Sequence, residues 1–206
     1  MSHSHPSRKT EVAIAIALWC LLALPMARAA LEAQMITHMA VQIPLLALAG
    51  ARLARGLRPF EPRWLERADW RGLCGLTLVL FTMAYWMLPR SLDSALADPR
   101  VELLKFVSVP LLLGMPLGSS WRRLPALARF FAIANFISML GTMGGLYLTA
   151  PTRLCVFYVL DQQLLAGKTL IAAAVGLTLF FFLAAFFGLM RPAAVRREST
   201  EMAEAG

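Results

Sequence analysis

Six of the eleven methionines stand in pairs four residues apart: Met35/Met39, Met83/Met87 and Met139/Met143. On a helix that spacing stacks two thioethers on one face, and His38 lies between the members of the first pair. Thioether and imidazole together suit Cu(I), a soft cation that carboxylate sites hold poorly. Methionine is also a flexible filler of helix bundles. On spacing alone, core packing and a Cu(I) site or transit path are both open.

The other residues with chemical potential are polar groups inside apolar runs, which are costly there and usually face a bundle interior. Gln34, His38 and Gln42 recur every fourth residue and predict one polar stripe. Asn135 and Ser138 lie in a later run, Lys105 has Glu102 one turn away, and Lys168 lies two turns below Asp161. The simplest expectation is interhelical hydrogen bonding, with both lysines snorkelling to the nearer surface. Cys20, Cys74 and Cys155 form no CxxC pair, so neither a thiol relay nor a zinc knuckle is supported. Ser2-His3-Ser4-His5 offers at most weak metal binding. There is no nucleophile–base set, phosphate-binding glycine loop, HExxH helix or pair of carboxylates placed for acid–base work, which points away from an enzyme.

The elements that must position these groups are membrane helices. Hydrophobic residues make up 59% of the 206-residue chain and charged residues 16%, with a mean hydropathy of +0.64. Soluble domains are nearer ~45–50% apolar and ~25% charged. Apolar runs of spanning length cover about 34–51, 72–88, 101–118, 128–150 and 162–190, and a shorter one covers 12–27. The short run reads either as a retained helix or, through Pro25-Met26-Ala27-Arg28-Ala29, as a signal peptide cleaved near residue 29. Together the runs predict a single all-α domain of about six transmembrane helices. Prolines 25, 44, 110 and 116 interrupt the runs, and Gly114/Gly118, Gly141/Gly145 and Gly144 would let helices approach closely. No repeat appears at a period of 20–50 residues.

Basic residues orient the bundle, because Lys and Arg in short loops stay cytoplasmic. Fourteen fall in the N-terminus (Arg8, Lys9), the 52–71 loop, the segment Arg122–Arg129 and the C-terminal tail (Arg191, Arg196, Arg197). Only Arg28, Arg90, Arg100 and Arg153 fall in the alternate loops. The alternation puts both termini in the cytoplasm and accounts for the net charge of +8 without a nucleic-acid partner. Trp64 and Trp70 suggest a short interfacial helix within 52–71.

Three segments carry a family resemblance. Gln34-Met35-Ile36-Thr37-His38-Met39 with Pro44 to Gly50 resembles the HMxxHM…PPLLxLG span of the polytopic CtaG family, membrane proteins needed for assembly of caa(3)-type cytochrome c oxidase. Tyr85-Trp86-Met87-Leu88-Pro89, continuing through Ser91-Leu92-Asp93-Ser94-Ala95-Leu96, resembles its WHLPxLYDAAL stretch. Asp161-Gln162-Gln163-Leu164 with Gly167 resembles its DQQLxG motif. Leu24-Pro25 to Glu32 resembles the lead-in to the first motif, which favours a retained first helix. The chain departs from the pattern where Gln34, Met87, Glu102 and Phe106 stand in histidine positions, and the family typically has seven spans.

The resemblance implies an assembly factor for a haem–copper oxidase in the bacterial cytoplasmic (inner) membrane, with Cu(I) handled at the outer face. The expected partners are membrane lipid and an oxidase subunit or copper chaperone. His38 and the three methionine pairs are the candidate ligands, Asp161 the expected cap of the last helix, and Gln162 and Gln163 its outer anchors. The alternative is a non-metal accessory or scaffold subunit of a membrane complex. A cation permease, suggested by Lys105, Lys168 and the polar stripe, is the weaker third reading.

Overall fold

The structure, a computed structural model, describes residues 7–57 and 69–187. Ser2 to His5, Arg58, Arg63, Trp64, Arg67, the C-terminal arginines and most of the expected 52–71 interfacial helix lie outside the described residues. Among the described residues the regular structure is entirely helical: α1 Arg8–Ala23, α2 Pro25–Glu32, α3 Met35–Leu57, α4 Leu73–Met87, α5 Pro89–Ala97, α6 Pro99–Ser120, α7 Ala126–Thr149 and α8 Leu160–Phe186. Four of these (α3, α6, α7 and α8) are long and apolar enough to cross a membrane alone. The count becomes six if each bent pair, α1 with α2 and α4 with α5, makes one span.

The bends share one cause. Leu24 and Leu88 each precede a proline, and proline disfavours helical backbone in the residue before it. Both leucines are extended, with ψ of 136° and 132°. The proline then opens the next helix at a position that needs no N–H. The resulting elbows are bent by 69° and 70°.

The two elbows belong to a repeat. In each unit a short arm (α1, α4) leads through Leu-Pro into a bridging helix (α2, α5) and back through a long arm (α3, α6). Leu24-Pro25 and Leu88-Pro89 are 64 residues apart, and so are Gly50 and Gly114. Both long arms contain a π-helical segment, His38–Gln42 in α3 and Val109–Gly114 in α6. Prolines lie beside or within them (Pro44, Pro110, Pro116), where the wider turn absorbs the missing N–H and the ring. The period of 64 residues exceeds the 20–50 range of common repeats.

The long arms cross in backbone contact. A Cβ on Gly50 would lie 1.9 Å from the Pro110 carbonyl oxygen, one on Gly114 2.3 Å from that of Ala47, and one on Gly118 2.6 Å from that of Ala51. Each short arm packs on its long arm; α1 adds an ion pair from Glu11 to Arg52, 3.3 Å. The third unit is the α7–α8 hairpin, joined where Gly144 and Gly167 meet: a Cβ on Gly144 would stand 2.9 Å from the Gly167 carbonyl oxygen. Of the glycines singled out by sequence, Gly145 alone has open space beside it. Between helices in lipid such close packing replaces the hydrophobic effect as the source of association.

Gly50→Val is therefore expected to abolish a monodisperse, folded protein in detergent, because backbone rather than a yielding side chain opposes the new methyls. Gly145→Val should leave size-exclusion profile and melting temperature nearly unchanged.

Candidate functional site

One polar centre is buried near the elbow end of the bundle. It is built by residues that four elements deliver: Glu32 at the last turn of α2, His38 and Gln42 from the π segment of α3, Lys105 from the second turn of α6, and Tyr158 from the segment between α7 and α8. Lys105, His38 and Gln42 are all 0% exposed. The Lys105 Nζ lies 2.7 Å from Glu32 Oε1, 2.9 Å from His38 Nε2 and 3.0 Å from Gln42 Oε1. An ammonium has three hydrogens and no lone pair, so all three contacts are donations.

That fixes the rest of the proton arrangement. His38 Nε2 accepts, so Nδ1 carries the hydrogen of a neutral ring and donates to Tyr158 Oη at 2.9 Å. Tyr158 Oη–H donates in turn to the Glu32 carbonyl oxygen, 3.0 Å away. Gln42 Nε2 donates to Glu32 Oε1 at 3.0 Å, leaving its own oxygen for Lys105. The circuit closes with every named donor and acceptor used. Beside it Arg28 pairs with Glu102, and the Lys105 ammonium stands 5.2 Å from the centre of the Phe106 ring.

Several sequence expectations change here. Lys105 does not snorkel: it is fully buried, and its carboxylate partner is Glu32 on another helix, while Glu102 is taken by Arg28. Gln34 leaves the predicted stripe, because the chain is extended at that residue and its side chain is exposed. Asp161 does not cap α8. Val159 holds the cap position without a side-chain bond, and Asp161 sits exposed in the first turn, where a carboxylate still favours the helix dipole. Lys168 is exposed on α8, and Asn135 and Ser138 are exposed on α7. Arg28, Glu32 and Tyr158 carry the centre although sequence reasoning assigned them no role in it. The spacing of Arg28 and Glu32, one helical repeat apart beside an apolar run, was the available signal for those two; nothing flagged Tyr158.

The six paired methionines share one apolar core. Met35, Met39, Met87 and Met143 are buried in one apolar core, with Met83 and Met139 packed against it. Met39 Sδ accepts from Tyr147 Oη at 3.6 Å. His38 cannot join them as a ligand in this arrangement, since both ring nitrogens are engaged. Among the described residues no three His, Cys, Asp or Glu side chains gather as a metal-binding group.

The motif-like segments meet on the 154–158 stretch. Leu154 N–H donates to Gln163 Oε1 (2.8 Å), Val156 N–H donates to Asp93 Oδ2 (2.7 Å), and Tyr158 accepts from His38. Alternate residues of one stretch are thus held by one residue from each of the three segments. Gln163, 1% exposed, also donates to the Tyr147 carbonyl oxygen (3.1 Å) and so anchors α8, whereas Gln162 is half-buried. Between these contacts Cys155 is buried against α5, its thiol 3.9 Å from the Pro89 carbonyl oxygen. Compared with known proteins, the chain matches no family model, no curated protein and no solved structure.

Tyr158→Phe deletes both the acceptor for His38 and the donor to Glu32. It should lower stability by about 1–3 kcal/mol, read as a fall in the denaturation midpoint in detergent. Burial, reinforced by the Asp93 carboxylate, pushes the Cys155 thiol up to about 12 from an ordinary 9.0. A raised acid favours the folded state fully below the unfolded value and loses that contribution as pH climbs from about 9 to 12. Cys155 should therefore resist maleimide at pH 7–8 in the folded protein. Cys155→Ala should flatten the alkaline loss of melting temperature over the same window.

Proposed function

We propose that this chain is an integral-membrane assembly factor of the CtaG-like kind, supporting biogenesis of a haem–copper oxidase in a bacterial inner membrane without turning over a substrate. The observation that supports the reading most is the convergence on residues 154–158. His38, Asp93 and Gln163, one from each of three segments that resemble family motifs, lie 50 or more residues apart in sequence, yet they hold alternate positions of one short stretch. Such a shared purpose accounts for the order and types of those residues better than independent helix packing would. The working surface is then the elbow end, formed by α2, α5 and the 150–159 connection, which the charge pattern assigns to the outer face. An oxidase subunit would dock there during assembly.

A second reading is favoured by a specific observation, the gathering of six methionines from α3, α4 and α7 in one core. Thioethers alone suit Cu(I), and copper handling would then rest on them, with His38 reserved for the polar centre. Without copper the same chain acts as a scaffold or accessory subunit.

Deleting the gene in its host should lower the haem absorbance of the oxidase and oxygen uptake in isolated membranes. Normal spectra with normal uptake would overturn the assembly role. Copper analysis of protein purified under reducing conditions separates the two modes. Near-stoichiometric copper lost in Met35→Leu/Met39→Leu supports transfer, and copper-free protein that co-purifies with oxidase subunits supports a scaffold.

A further inference from the structure

The polar centre has the layout of a cation site whose cation is part of the chain. Three acceptors of different chemistry, the Glu32 carboxylate, the His38 imidazole nitrogen and the Gln42 amide oxygen, come from two separate helices and aim at a single point. The Lys105 nitrogen occupies that point. The surroundings also suit a positive charge, with the face of Phe106 near it. The distances state which kind of cation the cradle fits. At 2.7–3.0 Å they are those of N–H donation, well beyond the ~2.0–2.2 Å at which imidazole and carboxylate bind zinc.

The acceptors are not free to rotate away. His38 is fixed from behind by Tyr158, Gln42 is fixed by donating to Glu32, and Tyr158 fixes the backbone of Glu32. A preorganised triad of this kind keeps its shape when its occupant is removed more readily than flexible side chains would. Glu32, with a side-chain exposure of 12%, is the member nearest to solvent and marks the way in.

The geometry points to a primary-ammonium site formed by Glu32, His38 and Gln42, with Lys105 as its tethered occupant: once the tether is cut, the site takes a small primary alkylammonium ion from solution. The tether keeps external cations out, so the unaltered chain binds none there. The ligand class is defined by three N–H donors on one positive nitrogen. Quaternary ammonium and neutral alcohols lack one requirement or the other.

Lys105→Ala removes three carbons and the nitrogen, so n-propylammonium is the matching probe. The full chain, purified in detergent, is heated with and without it. Lys105→Ala should lower Tm on the order of 10 °C, as removal of one partner of a buried ion pair does. Millimolar n-propylammonium should restore most of the loss saturably, while n-propanol, tetramethylammonium and potassium should not. The unaltered protein should not respond to any of them. Adding Glu32→Gln to the alanine variant should abolish the response. No rescue by propylammonium, or equal rescue by propanol or potassium, would overturn the site. If the alanine variant does not fold, Lys105→Met keeps the volume and removes the charge. It should be clearly destabilised and should recover when Glu32→Gln removes the unpaired carboxylate. A Lys105→Met protein as stable as the unaltered one would equally reject the proposal.

Discussion

A single buried ammonium sets the terms for this fold. Lys105 is 0% exposed, and an unpartnered charge inside a membrane helix bundle is among the costliest features such a protein can carry. Its three hydrogens need three acceptors, and α6 supplies none of those used. The acceptors come instead from α2 and α3, so those helices must approach α6 at the level of Lys105. The π segment of α3 presents His38 and Gln42 to the same nitrogen, and the turn of chain after Leu24 brings Glu32 back over it. Tyr158 then ties the α7–α8 connection to the same centre. Four elements are held by one charge.

The repeat explains how the approach is possible. Two units of similar build cross at Gly50 and Gly114, where neither helix carries a side chain and the backbones touch. Closer contact at the crossing brings the elbow ends together as well. The α7–α8 hairpin is a different kind of element: it is sealed internally by Gly144 and Gly167 and meets the repeat units mainly through the 154–158 stretch and the methionine core. The polar centre is asymmetric although the backbone repeats, since His38 and Glu102 hold equivalent places 64 residues apart and pair with different partners.

Much of this architecture was legible in the sequence. Hydrophobic runs place the long helices to within four residues at every end but one, because a span of fixed thickness leaves little choice of length; α3 runs on six residues past its apolar run to Leu57. Gly114, Gly118 and Gly144 were flagged correctly as contact points. The elbows are less visible: Pro25 marks an interruption of the run 12–27, but hydropathy does not change there, and only backbone geometry gives the angle of the turn. Periodicity misled at Gln34, where a stripe extrapolated from His38 and Gln42 crosses the end of the helix. Lys105 has its nearest carboxylate in sequence at Glu102, one turn away, and is expected to snorkel. Local spacing could not show that Arg28 would claim Glu102 and leave Glu32 to the lysine, since that exchange depends on two helices 73 residues apart at Glu32 and Lys105.

The elbows also decide how deep the centre lies. The short arms α1 and α4, of 16 and 15 residues, are about 24 and 22 Å long, against about 34 and 33 Å for α3 and α6. A hydrocarbon layer of ~30 Å exceeds the short arms by about 6–8 Å. Lipid meets such a shortfall by thinning locally or by admitting headgroups at that edge. Lys105, six residues into α6, lies about 9 Å below its start. If that shortfall falls at the elbow end, the dimple it leaves reaches nearly to the level of the ammonium. A charge set inside an apolar run of the sequence would then lie near the edge of the hydrocarbon layer while staying enclosed by protein.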